Sequence, residues 1–150
     1  MMTEVSFYHL TVRPLESALP RLLERTLESG CKAVVIASSN ERVDMLDDLL
    51  WTYNPESWLP HGCKNNAYSS EQPIWLTMED ENPNNATFLF LVDGAESNQL
   101  VIYHRVFELF DGKDSEAVEK ARIRWKQYQQ KGFSVAYWKQ DEVGKWKQIQ

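Results

Sequence analysis

Residues 31–38, CKAVVIAS, most restrict what this chain can fold into. From Ala33 to Ala37 the run is continuously apolar and mostly β-branched, as a strand buried on both faces would be. Such a strand needs a covering layer above and below it, and the flanking sequence supplies helices. Upstream, Pro14 sits where a first helical turn tolerates it. Leu15, Ala18, Leu19, Leu22, Leu23 and Leu27 then keep helical spacing as far as Gly30. Downstream, Asn40 is placed to cap a second helix with Val43, Leu46, Leu49 and Leu50 as its inner stripe. With the short β-type run EVSFYHL at 4–10, the order is β-α-β-α. That order predicts an α/β layered fold with parallel strands.

The remaining chain fits this scheme. Residues 51–73 read as irregular, with Pro55, Pro60, Gly62 and Pro73. IWLTM, ATFLFLVD and HRVFELFD read as three further strands, with the turn-rich DENPNN between the first two. A helix is predicted over 114–131, stopped by Gly132 as a left-handed cap residue. FSVAYWKQ, DEVG and KWKQIQ read as a terminal hairpin with an exposed, Lys- and Gln-rich second strand. With no repeat and no linker, residues 1–150 are expected to form one domain.

Several function classes find no support in the residues. A phosphate loop needs clustered glycines at a helix start. Here no two of the six glycines stand within ten residues of each other, and the first β-to-α turn, LTVRPLES, has none. His61 and Cys63 are close, but His9, His104 and Cys31 stand alone, so no metal site and no cofactor are expected. A nucleophile elbow of the G-x-S-x-G type is absent. Acidic groups such as Asp47–Asp48 and Glu79–Asp80–Glu81 read as solvated surface. No apolar run approaches the ~18 residues that span a bilayer. MMTEVSFYHL carries no signal-peptide pattern, and two cysteines read as reduced thiols. A cytoplasmic protein is the expectation.

One feature stands against the overall charge. Lys and Arg number 16 against 22 Asp and Glu, a formal net charge of −6, yet ARIRWKQYQQKGF concentrates cations and aromatics. On a helical wheel Ala117, Ala121 and Tyr128 form the inward stripe, with Arg124 on the same side. Trp125 lies at its edge, and Gln129, Arg122 and Lys126 come just beyond. An exposed Arg/Lys pair beside an indole suits a short acidic peptide with an apolar side chain. Two other readings stay open: an ordinary face whose cations pair with Glu119, Glu116 and Asp114, and a single-stranded nucleic-acid platform stacking bases on Trp125. A second stretch, LLWTYNPESWLPHG at 49–62, concentrates Trp51, Tyr53, Trp58 and Leu59 in a Pro-bounded segment. It either covers a sheet edge or forms a hydrophobic partner site.

Taken together, VSFYHL, KAVVIASSNERVDMLDDLLWTYNPESWLPHG, FLFLVD and KARIRWKQYQQKGFSVAYWK resemble the chi subunits of bacterial DNA polymerase III, accessories of the clamp-loader complex. The most specific parts are D-x-L-W followed by PESWLPH, and AR-x-RWK-x-Y-x-x-x-GF near the C-terminus. The resemblance implies a single chi-like domain: a Rossmann-like three-layer α/β fold, with a mostly parallel sheet and a C-terminal antiparallel hairpin. It implies a non-catalytic adaptor that binds the acidic C-terminal tail of single-stranded DNA-binding protein. The tail site would fall on Arg122, Trp125 and Lys126, with Gln129 beside them and Val135 and Tyr137 lining a pocket for the terminal apolar residue. Trp125 stands where the family commonly has Tyr. A second partner, psi or another clamp-loader-associated protein, would meet Trp51, Trp58, Leu59, Pro60 and His61. DNA would be reached indirectly. The rivals are direct single-stranded nucleic-acid binding and, behind it, a nucleotide-dependent α/β enzyme.

Overall fold

The computed structural model describes residues 3–54, 59–64 and 68–150. Helix α1 (Leu15–Glu28) follows the extended Pro14 and buries Leu15, Ala18, Leu19, Leu22 and Leu23, as the leucine spacing predicts. It runs through Pro20, whose missing N–H leaves the Glu16 carbonyl without its helical donor. Helix α2 (Asn40–Thr52) is capped one residue earlier than predicted. Ser39 holds the extended backbone a cap requires, and its hydroxyl accepts from the Arg42 N–H at 3.1 Å, while Asn40 is already helical. Helix α3 (Ser115–Gln130) is capped by the Asp114 carboxylate and released at Gly132, where φ is +88°.

The strands are β1 (Glu4–Leu10), β2 (Ala33–Ile36), β3 (Gly62–Cys63), β4 (Ile74–Thr77), β5 (Phe88–Leu91), β6 (Arg105–Asp111), β7 (Ser134–Gln140) and β8 (Trp146–Gln148). Among the described residues they form one sheet in the order β3-β4-β2-β5-β6-β1-β7-β8. Every neighbouring pair is parallel except the β7–β8 hairpin. The stretch 51–73 is thus not wholly irregular, because β3 adds a two-residue edge strand to β4.

Strand alternation sorts the core into two layers. Tyr8, Leu10, Val35, Phe107 and Leu109 join Leu19, Leu23, Leu46 and Leu50 on the α1/α2 side. Val5, Phe7, Val34, Val106 and Phe110 join Ala121 and Tyr128 on the α3 side. This is the predicted three-layer α/β arrangement. Each fully buried Leu or Phe contributes about 1.5–3 kcal/mol of apolar burial. The hairpin also departs from expectation in one place: Trp146 of β8 is partly buried, edge-on to Tyr8 at 4.7 Å, while Lys147 and Gln148 stay exposed.

The direction of winding across the sheet reverses between β1 and β6. From β1 the chain crosses by α1 to β2 on one side, and from β6 it crosses by α3 to β7 on the other. The carboxyl ends of β1 and β6 therefore bound the switch-point crevice where open α/β sheets commonly bind ligands.

Candidate functional site

Two concavities bear on function. The first is the switch-point crevice, about 670 Å³, bounded by the loops after β1 and β6 and by the start of α3. In nucleotide-binding relatives of this architecture, backbone amides of the first β-to-α turn face a phosphate. Here the N–H groups of Thr11, Val12 and Arg13 all donate to one oxygen, Oε1 of Gln140, each at 3.0 Å. Gln140 is buried at the end of β7, and its own carbonyl accepts from the Thr11 hydroxyl at 3.2 Å. At the start of α3, the Asp114 carboxylate accepts from Glu116 and Ala117 at 3.0 and 3.5 Å.

The crevice cations are largely taken as well. Arg42 pairs with Asp93 at 2.7 Å and with Glu16 at 3.1 Å. Arg124 is buried and donates from Nε to both oxygens of Glu108 at 2.9 Å. The Tyr128 hydroxyl adds a donor to the same carboxylate at 2.8 Å. Burial raises the pKa of Glu108, and the Arg124 charge and the two hydrogen-bond donors pull against that. Arg124 belongs to the basic cluster in the sequence but spends its charge in the core.

The second concavity is a groove of about 450 Å³ between α3 and the C-terminal hairpin. Helix α3 contributes Glu119, Arg122, Ile123, Trp125 and Lys126; Tyr137 comes from β7, and Ile149 and Gln150 follow β8. The last segment is held in place by backbone bonds: the Ile149 N–H donates to the Tyr137 carbonyl at 2.7 Å, and the Tyr137 N–H to the Gln150 carbonyl at 3.0 Å. Trp125 serves both core and groove. Its ring meets Phe7 edge-on at 5.5 Å and Tyr137 at 5.8 Å. Arg122 and Lys126 lie one helical turn apart, and neither forms an ion pair among the described residues. Glu119, three residues before Arg122, also lines the groove but forms no ion pair among the described residues, and Glu116 pairs with Lys120 at 3.5 Å. Ile123 and Ile149 remain half exposed, at 50% and 56%. Unpaired cations beside uncovered apolar surface are what an acidic, apolar-ended ligand requires.

Of the residues singled out in the sequence, Arg122, Trp125, Lys126 and Tyr137 meet in this groove. Gln129 is exposed on α3 outside its lining, and Val135 is partly buried against the α3-side core. Sequence reading missed Ile123, Ile149 and Gln150 as lining residues. An isoleucine among charged neighbours on a solvated helix face was the available signal for Ile123.

The second patch is divided. Trp51 is 49% exposed and lies over the His61 ring at 4.2 Å, and Pro60 is partly exposed. Leu59 and His61 are buried, with His61 Nδ1 2.7 Å from the Leu59 carbonyl. The His61 ring supports the exposed indole. Trp58 lies outside the described residues. Among the described residues no three His, Cys, Asp or Glu side chains gather as a metal site, and no helix is long and apolar enough to cross a membrane.

The order of strands and the two-sided helical cover define a doubly wound α/β domain whose usual phosphate position is filled by its own Gln140. The chain belongs to a family of DNA replication subunits, described as DNA polymerase III chi subunit, HolC, whose pattern matches residues 2–136. A curated relative, the probable DNA polymerase III subunit chi of Rickettsia prowazekii (strain Madrid E), is 34% identical over 110 residues. That alignment covers 71% of this chain and 67% of the relative. The family match ends before Tyr137, so part of the groove wall lies beyond it.

Proposed function

We propose that this chain is a non-catalytic adaptor of the DNA polymerase III clamp loader, working in the cytoplasm, whose groove takes the acidic C-terminal tail of single-stranded DNA-binding protein. The observation that carries this reading is the unpaired Arg122–Lys126 ridge beside Trp125, Ile123 and Ile149, on a chain of net charge −6. Carboxylates of the tail would meet the two cations, and its apolar terminal side chain would enter between Trp125 and Ile149. A focused positive site on an acidic surface also steers an acidic ligand to one place. The filled β1–α1 turn supports a role without nucleotide chemistry, since its amides already serve Gln140.

The exposed Trp51, with Pro60, forms the second contact, for psi or another clamp-loader-associated protein. His61 holds that indole in place, and both it and Leu59 are buried beneath the surface rather than touching the partner.

The test is a titration of a peptide copied from the C-terminus of the same organism's single-stranded DNA-binding protein. Wild type should bind saturably and less tightly in higher salt. Arg122→Ala should lose about 1.5–3 kcal/mol of binding, the usual worth of a hydrogen bond to a charged group, with an unchanged thermal melt. Absence of binding by folded wild type, or tighter binding of a naked single-stranded oligonucleotide, would end this reading.

A further inference from the structure

His9 stands on β1 directly behind the groove's Tyr137 wall. Alternation turns it to the α3 side, with Val5 and Phe7. Its Nδ1 lies 2.5 Å from the Tyr137 hydroxyl. The ring meets Tyr137 at 5.8 Å and Phe110 at 5.0 Å between centroids. Its far edge rests on Gly112, where an added Cβ would come within 2.1 Å of Cδ2 and 2.2 Å of Nε2. A residue with a side chain at 112 would therefore displace the imidazole.

Nε2 is the ring nitrogen that faces Gly112. The proton of the neutral ring is assigned to that side, which leaves Nδ1 to accept from the Tyr137 hydroxyl. Among the described residues that hydroxyl has no other side-chain partner.

We infer that His9 is a positioning residue for the groove, and that its protonation strengthens the hold on an acidic peptide. This rests on the peptide reading above and assigns that site a regulation. With the ring neutral, the Tyr137 O–H points back at Nδ1. A proton taken from solvent onto Nδ1 reverses the bond: Nδ1–H donates to the Tyr137 oxygen, and the hydroxyl proton is released to donate to a ligand carboxylate. The same proton adds a positive charge behind Arg122.

The surroundings fix the sign. Burial lowers the pKa of His9 first; Lys139 on β7 and Arg122 on α3 lower it further, while the Gly112 backbone and Asp111 at the end of β6 raise it. The free ring is therefore neutral at pH 7 and titrates below the ordinary 6.5. A bound carboxylate compensates Arg122, one of the charges holding the ring neutral, and so raises the His9 pKa. By reciprocity, lowering the pH through that window tightens peptide binding.

The experiment titrates the same tail peptide into wild type, His9→Asn and Arg122→Ala at pH 7.5 and 5.5. Asn keeps a hydrogen-bond acceptor near the Nδ1 position but does not titrate. Wild type should gain about fivefold in affinity at the lower pH, near the low end of ordinary coupling between sites, and His9→Asn should gain little. In wild type the His9 ring, followed by NMR, should titrate at higher pH with saturating peptide than without. Equal pH dependence of wild type and His9→Asn, or a ring pKa indifferent to peptide, would overturn the inference. If wild type binds and Arg122→Ala does not, either of those results removes the role of His9 alone. If folded wild type binds at neither pH, both readings fall. Should His9→Asn not fold, the NMR titration of wild type decides.

Discussion

The switch-point crevice and the α3 groove are both lined by arginine and lysine, yet they are in opposite states. In the crevice Arg42 is matched by Glu16 and Asp93, Arg124 by Glu108, and Lys120 by Glu116. Its two clusters of backbone donors face Gln140 and Asp114. Arg13 and Lys113 are the exposed exceptions. In the groove, Arg122 and Lys126 face no acid with which they pair. The crevice is the larger of the two and sits where α/β sheets usually bind ligands. Size and fold position would select it; the pairing state of the charges selects the groove. A cation already bonded in the folded protein must lose that bond before it can hold a ligand, whereas an exposed one exchanges only water.

The largest test of this contrast is Arg124→Ala. It leaves Glu108 buried and without its ion-pair partner, and should remove about 3–5 kcal/mol of unfolding free energy in a denaturant titration. A loss as small as that of a surface arginine would mean the buried pair is not holding α3 to β6.

Gln140→Ala comes next. It strands the three amides of the β1–α1 turn and should cost about 1–3 kcal/mol of stability. If the amide oxygen stands in for a phosphate oxygen, millimolar inorganic phosphate will raise the melting temperature of this variant more than that of wild type. An equal response in both would show the turn to be a plain structural contact.

The smallest effect is expected at Arg42→Ala. Its pairs are partly exposed and worth about 1 kcal/mol or less. Peptide affinity should stay at the wild-type value, since Arg42 lies in the crevice and not in the groove. Weakened peptide binding in this variant would erase the distinction between the two regions.

Much of the architecture was legible because it rests on local pattern. The apolar run at 33–37, the leucine spacing before it and the Gly132 stop each fix an element without reference to the rest of the chain. The basic ridge was legible for the same reason, being a wheel pattern on one helix. What stayed hidden depends on partners distant in sequence. Nothing near Gln140 announces that its side chain will meet Thr11, Val12 and Arg13, and nothing in FYHL announces that His9 will meet Tyr137. The Ser39 cap was missed because Ser-Ser-Asn offers three capping side chains in a row, and backbone geometry chooses among them.

The place of β1 between β6 and β7 has a consequence for how the chain is made. Its first strand lies in the sheet interior, yet one of its neighbours is made long after it: His9 and Tyr137 are 128 positions apart. At ordinary ribosomal speeds of about 5–20 residues per second, that separation corresponds to roughly 6–25 s of waiting. During that interval β1 can pair on one side at most, and the wall that Tyr137 gives the groove does not exist. A nascent chain arrested before residue 137 therefore presents α3 with its cations but no cleft beside them, so the groove cannot form until the hairpin has been made.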